Sequence, residues 1–134
     1  MDSIIKKLEN FRVVPVVNID DSKDALSLGK ALIKGGLPIV EITFRTAAAA
    51  EAIARLSYEL PDFCVGGGTV LTVDQVNQSI DAGARFIVAP GFNPRVVDYC
   101  IDRMVPVFPG VNSPTQVEMG LERDLKVLKF FPAE

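Results

Sequence analysis

The stretch Ile39-Val40-Glu41-Ile42-Thr43-Phe44-Arg45 has the apolar, β-branched composition of a β-strand, yet it contains a carboxylate and a guanidinium. Side chains alternate along a strand, so Glu41 and Arg45 share a face with Ile39 and Thr43, and the opposite face is apolar throughout. A sheet covered by helices on both faces has no good place for these charges. A (β/α)8 barrel has one, because its interior opens at the C-terminal ends of the strands. The stretch therefore favours a barrel over a doubly wound sheet.

Apolar runs and helical patterns alternate through the rest of the chain, which is the pattern of repeated βα units. We expect strands at 13–17, 37–44, 63–67, 86–89 and 105–108, followed by a sixth strand that contains Lys129. The intervening helices are expected at 25–33, 47–60, 73–82 and 94–103 and after Ser113, with a further short helix at 4–8. Such alternation implies parallel strands joined by right-handed crossovers. The predicted fold is α/β: the first six strands and five connecting helices of a truncated TIM barrel, as a single domain over residues 1–134.

The sixth strand lies in the stretch Lys126-Val127-Leu128-Lys129-Phe130-Phe131-Pro132-Ala133-Glu134. Val127, Lys129 and Phe131 share one of its faces, so an amine stands between two apolar side chains. A lysine at a strand end commonly extends its ammonium group to solvent over an apolar stem. A partly desolvated amine can instead form a Schiff base with a carbonyl substrate. The strand by itself does not show whether Lys129 carries a solvated ammonium group or a nucleophilic amine.

The composition excludes several classes of function. The chain contains no histidine, so catalytic triads, zinc sites and acid–base catalysis that use histidine are all excluded. A net charge of −3 without a basic run argues against nucleic acid and against anionic membranes as partners. Cys64 and Cys100 show neither metal nor redox spacing, which predicts reduced, buried thiols in a cytoplasmic protein.

Four side chains that can carry chemistry fall at or just beyond the C-terminal halves of predicted strands: Glu41, Arg45, Thr69 and Lys129. Each also has a purely structural explanation, since Glu41 and Arg45 could form an internal ion pair and Thr69 could cap the following helix. Active sites of barrels lie at this end of the strands. Together, the four side chains therefore predict a nucleophile, a proton-transfer group and a clamp for a carboxylate.

Five motifs give the sequence a resemblance to a known family: Val-Glu-Ile-Thr-Phe-Arg-Thr at 40–46, Gly-Gly-Gly-Thr-Val-Leu-Thr at 66–72, Val-Ala-Pro-Gly at 88–91, Pro-Gly-Val-Asn-Ser-Pro-Thr at 109–115 and Lys-Phe-Phe-Pro-Ala-Glu at 129–134. In order and register they resemble the 2-keto-3-deoxy-6-phosphogluconate (KDPG) aldolases. These are also called KDPG/KHG aldolases, where KHG is 4-hydroxy-2-oxoglutarate. The resemblance extends over the whole chain.

The resemblance implies a class I aldolase, a lyase that needs neither metal nor cofactor and cleaves KDPG to pyruvate and glyceraldehyde 3-phosphate. KHG, cleaved to pyruvate and glyoxylate, is a further substrate that it implies. Carried over by position, Lys129 is the Schiff-base lysine and Glu41 is the general acid and base. The same resemblance assigns the pyruvate carboxylate to Arg45 and Thr69, and the pocket walls to Pro90 and Phe131. The implied partners are small 2-oxo acids and sugar-acid phosphates, and the expected assembly is a homotrimer.

The sequence departs from the family in one respect. The family barrel has two further βα units, whose glycine-rich loops bind the substrate phosphate, and this sequence contains neither. Gly66-Gly67-Gly68 does not replace them, since it lacks the spacing and the lysine of a phosphate-binding Walker loop. We therefore expect the sequence to be part of a longer barrel. Two alternatives stay open: an aldolase for a related 2-oxo acid phosphate of the 6-phosphogalactonate type, and a non-catalytic barrel fragment.

Overall fold

The computed structural model describes residues 2–133, so Glu134 of the last motif lies outside the described residues. Helices and strands alternate over this range. The helices are α1 (Asp2–Phe11), α2 (Asp24–Lys34), α3 (Ala49–Glu59), α4 (Val73–Asp81), α5 (Pro94–Asp102) and α6 (Pro114–Leu121). The strands are β1 (Val16–Val17), β2 (Ile39–Thr43), β3 (Cys64–Gly68), β4 (Ile87–Ala89), β5 (Val107–Val111) and β6 (Lys129–Phe130). None of the helices within 2–133 is both long and apolar enough to cross a membrane.

The strands form one parallel sheet in the order β1-β2-β3-β4-β5-β6. Each strand pairs with its neighbours in sequence, as in the wall of a barrel. In a doubly wound sheet the strand order would instead reverse at a switch point. The sheet is curled, and five helices connect its six strands. The predicted barrel-type α/β fold is therefore confirmed.

The alternation predicted for β2 is confirmed by the packing of its side chains. Val40 and Ile42 lie in the apolar core between the sheet and helices α2 and α3. Ile39 points to the other side, where it shares a core with Ile4 of α1 and Phe86. Helix α1 therefore packs against the inner face of the curled sheet, near the N-terminal ends of its strands.

All five strands with predicted boundaries differ from them by at least one residue, and β1 and β5 differ most. β1 begins only at Val16, although the apolar run starts at Val13, because Pro15 has no N–H to donate to the ladder. β5 continues through Pro109 and Gly110 to Val111, beyond the end predicted at residue 108. A Cβ atom on Gly110 would collide with the carbonyl group at position 90, so the bare backbone lets the loop after β4 approach β5 closely.

The helices that follow β3, β4 and β5 begin with side-chain caps. Their cap residues accept hydrogen bonds from backbone N–H groups two or three positions later: Thr72 from Gln75 (3.2 Å), Asn93 from Arg95 (3.1 Å) and Ser113 from Gln116 (3.4 Å). The helix start predicted at Ser113 and Pro114 is thereby confirmed. These caps fix the turns at the C-terminal end of the sheet, which is the end where barrel enzymes carry their active sites.

Candidate active site

Strands β2 and β6 bring a lysine and a glutamate together. Lys129 is the first residue of β6, and Glu41 lies in the middle of β2. The Nζ atom of Lys129 and the Oε1 atom of Glu41 are 3.9 Å apart. Strands four places apart in a flat sheet would be separated by about 19 Å, at roughly 4.8 Å per strand. The pair therefore exists only because the sheet curls.

The two side chains differ in their exposure. Glu41 is 5% exposed, whereas Lys129 is 28% exposed. They border a cavity of about 240 Å³ on the inner side of the sheet. The rest of its lining is apolar: Leu8, Val14, Val16, Phe86, Val88, Phe108, Val127 and Leu128. A concave apolar site with a few convergent polar groups is the usual form of a small-molecule site.

Burial dominates the electrostatics of Glu41. Its Oε1 atom is buried without a hydrogen-bond partner among the described residues. Desolvation raises the pKa of Glu41 above its ordinary value, and the positive charges of Lys129 and Arg45 oppose this rise only in part. A carboxyl group with a raised pKa exchanges protons at neutral pH more effectively than an ordinary glutamate. This is the property required of a general acid and base.

Phe131 contacts the reactive end of Lys129. The Nζ atom lies 4.9 Å from the centre of the Phe131 ring, close enough for a cation–π interaction. The ring follows β6 and is 38% exposed. Phe131 thus lies beside Lys129. Its role as a pocket wall that contacts substrate, which the family resemblance implies, stays a prediction.

Arg45 and Thr69 lie just beyond the ends of β2 and β3. Arg45 is exposed, and its positive charge acts on the buried carboxylate of Glu41. Thr69 has a φ angle of 53°, which is unusual for a β-branched residue. Backbone strain of this kind is concentrated at functional sites. That the two residues bind a carboxylate stays a prediction.

Pro90 lies apart from this cavity. It follows β4 and lines a separate surface pocket of about 170 Å³ together with Phe92. Val88 is the residue of β4 that lines the cavity beside Lys129. The structure thus brings together Glu41, Lys129 and the Phe131 ring, and the predicted role of Pro90 as a wall of the same pocket stays a prediction.

Sequence reasoning missed three residues near the site. The Thr43 hydroxyl is buried on the same face of β2 as Glu41, and it donates a hydrogen bond to the side-chain oxygen of Asn18. Asn18 directly follows β1, so the strand-end rule that selected Thr69 could have found it. Leu8 of α1 lines the cavity, and no local signal marks it because its place depends on how α1 packs against the sheet.

Lys129 carries the one amine among the described residues that line the cavity. Cys64 and Cys100 are both buried, and burial raises the pKa of each thiol, that of Cys100 to about 12. Such thiols are poor nucleophiles at neutral pH. Within residues 2–133, no three carboxylate or thiol side chains converge into a possible metal site. The partly exposed Lys129 is therefore the group best placed to attack a ligand.

Known proteins resemble this chain in both sequence and structure. A family model described as KDPG and KHG aldolase matches residues 4–134. The 2-dehydro-3-deoxy-phosphogluconate aldolase of Treponema pallidum is 52% identical over 134 residues, which are 100% of this chain and 64% of that protein.

Two solved structures share the fold. The KDPG aldolase of Legionella pneumophila, with pyruvate captured at low pH as a covalent carbinolamine intermediate, is 38% identical. It has a TM-score of 0.86 over 90% of this chain and 58% of that one. The 2-keto-3-deoxy-6-phosphogluconate aldolase of Zymomonas mobilis with 3-phosphoglycerate is also 38% identical, with a TM-score of 0.84 over 90% of this chain and 57% of that one. The chain thus spans 57–64% of the length of these proteins. Since the family model matches nearly all of its residues, the chain belongs to the KDPG and KHG aldolase family.

Proposed function

We propose that this chain carries the reactive centre of a class I aldolase that cleaves KDPG to pyruvate and glyceraldehyde 3-phosphate. The observation that carries the proposal is the distance of 3.9 Å between the Lys129 amine and the buried carboxylate of Glu41. Schiff-base chemistry needs a nucleophilic amine and a group that moves protons beside it. The capture of pyruvate as a covalent carbinolamine in the Legionella pneumophila relative supports the same chemistry here.

The first half of the reaction forms the Schiff base. The neutral amine of Lys129 adds to the C2 carbonyl of the substrate, and the carbinolamine then loses water to give an iminium ion. The separation of 3.9 Å is too long for a direct hydrogen bond between Nζ and Oε1. One water molecule between the two groups would allow Glu41 to give a proton to the departing hydroxyl.

The second half breaks the carbon–carbon bond. Glu41 accepts the proton of the C4 hydroxyl, the C3–C4 bond breaks, and its electron pair moves into the iminium to form an enamine. The aldehyde leaves at this stage. Protonation of the enamine at C3 restores an iminium, and its hydrolysis releases pyruvate and regenerates the Lys129 amine.

The residues of this chain recognise the pyruvate half of the substrate. The guanidinium of Arg45 can bind the carboxylate through two parallel hydrogen bonds, with the Thr69 hydroxyl as a further donor. KHG contains the same pyruvate half, and the family description names both compounds. We therefore propose KHG as a second substrate.

Pyruvate release from KDPG, followed through lactate dehydrogenase, tests the proposal in the full-length protein. The variant Lys129→Met keeps the length and apolar contacts of the side chain but removes the amine, so we expect no turnover. Lys126→Met is the matched control because Lys126 is exposed and precedes β6, and we expect it to keep parental turnover. Turnover by Lys129→Met within tenfold of the parent would contradict the proposal.

We also propose that the protein forms a homo-oligomer, with a trimer as the leading arrangement. The proposal rests on the family resemblance, which implies a homotrimer. Sedimentation at micromolar concentration tests this proposal, and a monomer would contradict it.

The reduced, buried thiols of Cys64 and Cys100 support a cytoplasmic location.

A further inference from the structure

Strand β3 ends in three consecutive glycines, Gly66-Gly67-Gly68, and all three are buried. The positive-φ glycines of the described chain are Gly36 and Gly83, so none of these three is there to permit a left-handed backbone. What a glycine provides in such a strand is space for a neighbour to approach the backbone.

At Gly68 that space is taken by Glu41. A Cβ atom built on Gly68 would lie 2.6 Å from the Cδ atom of Glu41 and closer still to Cγ and Oε1. Glu41 pairs in register with Gly66, and Thr43 pairs with Gly68. The Glu41 side chain therefore crosses diagonally from its own register position to the next inward-facing position of β3. Three of its atoms, and not only the carboxylate end, lie where a side chain at position 68 would have to be.

Oε1 of Glu41, the atom that a Cβ on Gly68 would approach most closely, is also the oxygen that faces the Lys129 amine. Oε1 of Glu41 is 3.9 Å from the Lys129 amine, and it has no hydrogen-bond partner among the described residues. Hydrogen bonds therefore do not fix its position. The neighbours that remain are the backbone of β3 at Gly68 and the opposite charge of Lys129.

We propose that Gly68 is a positioning residue for the aldolase reaction: its bare backbone lets the Glu41 carboxylate lie against β3, where Oε1 is held beside the Lys129 amine. The inference rests on the proposed function, which gives this contact its chemical purpose. A methyl group at position 68 would force Glu41 into another rotamer, because its Cγ atom is displaced together with the carboxylate.

The comparison of Gly68→Ala with Gly67→Ala tests the inference in the full-length protein. Both variants add one methyl group to a buried position of the same strand. The methyl group at position 67 projects to the opposite face, where it would meet the Oγ atom of Ser79 in α4 most closely and lie 2.9 Å from the Cβ atom of the same residue. A misplacement of about 1 Å in a catalytic group can cost about 10²-fold in rate, so we expect that loss of kcat for Gly68→Ala. Gly67→Ala should stay within threefold of the parent.

The pH profile supplies a readout that a purely structural role would not move. Glu41 must be ionised to accept the C4 hydroxyl proton, so kcat rises with pH through its pKa. Burial raises this pKa, and a carboxylate displaced from its buried position regains water. The acidic limb of the kcat profile should therefore move to lower pH in Gly68→Ala and stay in place in Gly67→Ala.

A double-mutant cycle tests the contact itself and requires no activity. Glu41→Ala removes all three atoms that would meet a methyl group at position 68. Gly68→Ala should therefore lower the urea midpoint of unfolding in the parent but hardly at all in the Glu41→Ala background. Equal losses in the two backgrounds would show that Glu41 does not occupy the space at Gly68, and would overturn the inference.

Borohydride trapping with pyruvate separates the failure of this inference from the failure of the proposed function. We expect an imine on Lys129 in the parent, in Gly67→Ala and in Gly68→Ala, since the amine itself is retained. A parent that forms the imine, together with a Gly68→Ala variant of parental kcat and pH profile, would overturn the role of Gly68 and leave the proposed function standing. A parent that forms no imine would overturn both.

Discussion

The substitution Glu41→Gln tests the role of the carboxylate beside the lysine. The amide keeps the size of the side chain and cannot exchange protons at neutral pH. Among the described residues that line the cavity, Glu41 is the one carboxylate, so no second carboxylate there can take over its function. General acid–base catalysis contributes about 10²–10⁴ in rate, which corresponds to roughly 3–5 kcal/mol of barrier. We therefore expect kcat to fall by a factor in that range.

Two assays on the same variant separate proton transfer from nucleophilic attack. Turnover of KDPG reports the complete reaction, whereas borohydride trapping with pyruvate reports the Schiff base alone. We expect Glu41→Gln to keep the trapped imine, formed more slowly, and to lose turnover. Glu59→Gln, at the exposed end of α3, is the control for the same chemical change and should behave as the parent does.

The outcome that would refute this reasoning is specific. If Glu41→Gln turns over KDPG within about threefold of the parent, the loss is far below what general acid–base catalysis normally supplies. Glu41 would then be only the buried partner of an internal ion pair with Lys129, and the mechanism would need another proton carrier.

Three further predictions concern binding and stability. Arg45→Ala should raise the pyruvate concentration needed for half-maximal imine trapping by about 10- to 100-fold, because charged hydrogen bonds to the pyruvate carboxylate are lost. The control Arg55→Ala, on the surface of α3, should not change this concentration. The raised pKa of Glu41 gives the folded state a stability that is fully present below pH 4.5 and is lost as pH rises through that raised pKa. As the pH rises from 4.5 through the raised pKa, the unfolding free energy of Glu41→Gln should therefore fall less than that of the parent. Urea midpoints of the two proteins that change in parallel with pH would contradict this. Leu56→Ala, at a fully buried position between α3 and the sheet, should lower the unfolding free energy by about 2–5 kcal/mol in urea titrations, and a loss below about 1 kcal/mol would contradict the packing described.

The order and type of the elements could be predicted from sequence because side-chain periodicity carries them. The opposite packing of Ile39 and Val40 follows directly from alternation along β2. The ends of the strands could not be predicted equally well. β5 runs through Gly110 because β6 pairs with it there, with Gly110 opposite Lys129, and no local pattern contains this information.

The candidate site could also be predicted only in part from the sequence. The rule that barrel sites lie toward the C-terminal ends of strands drew attention to Glu41 and Lys129 in the sequence, although the structure places Glu41 in the middle of β2 and Lys129 at the first residue of β6. Their separation of 3.9 Å could not be read from the sequence, since it depends on the curvature of the whole sheet across four strand spacings. The need for a glycine at position 68 also comes from a side chain on another strand. Properties that arise from contacts between distant elements require the structure.

The central claim is that Lys129 forms a Schiff base, and borohydride trapping tests it most directly. The full-length protein is incubated with pyruvate, reduced with borohydride, digested and examined by mass spectrometry. We predict a pyruvate-derived carboxyethyl group on the peptide that contains Lys129, with fragmentation placing it on that residue and leaving Lys126 unmodified. Modification of Lys126 alone, or no modification at all, would contradict the account.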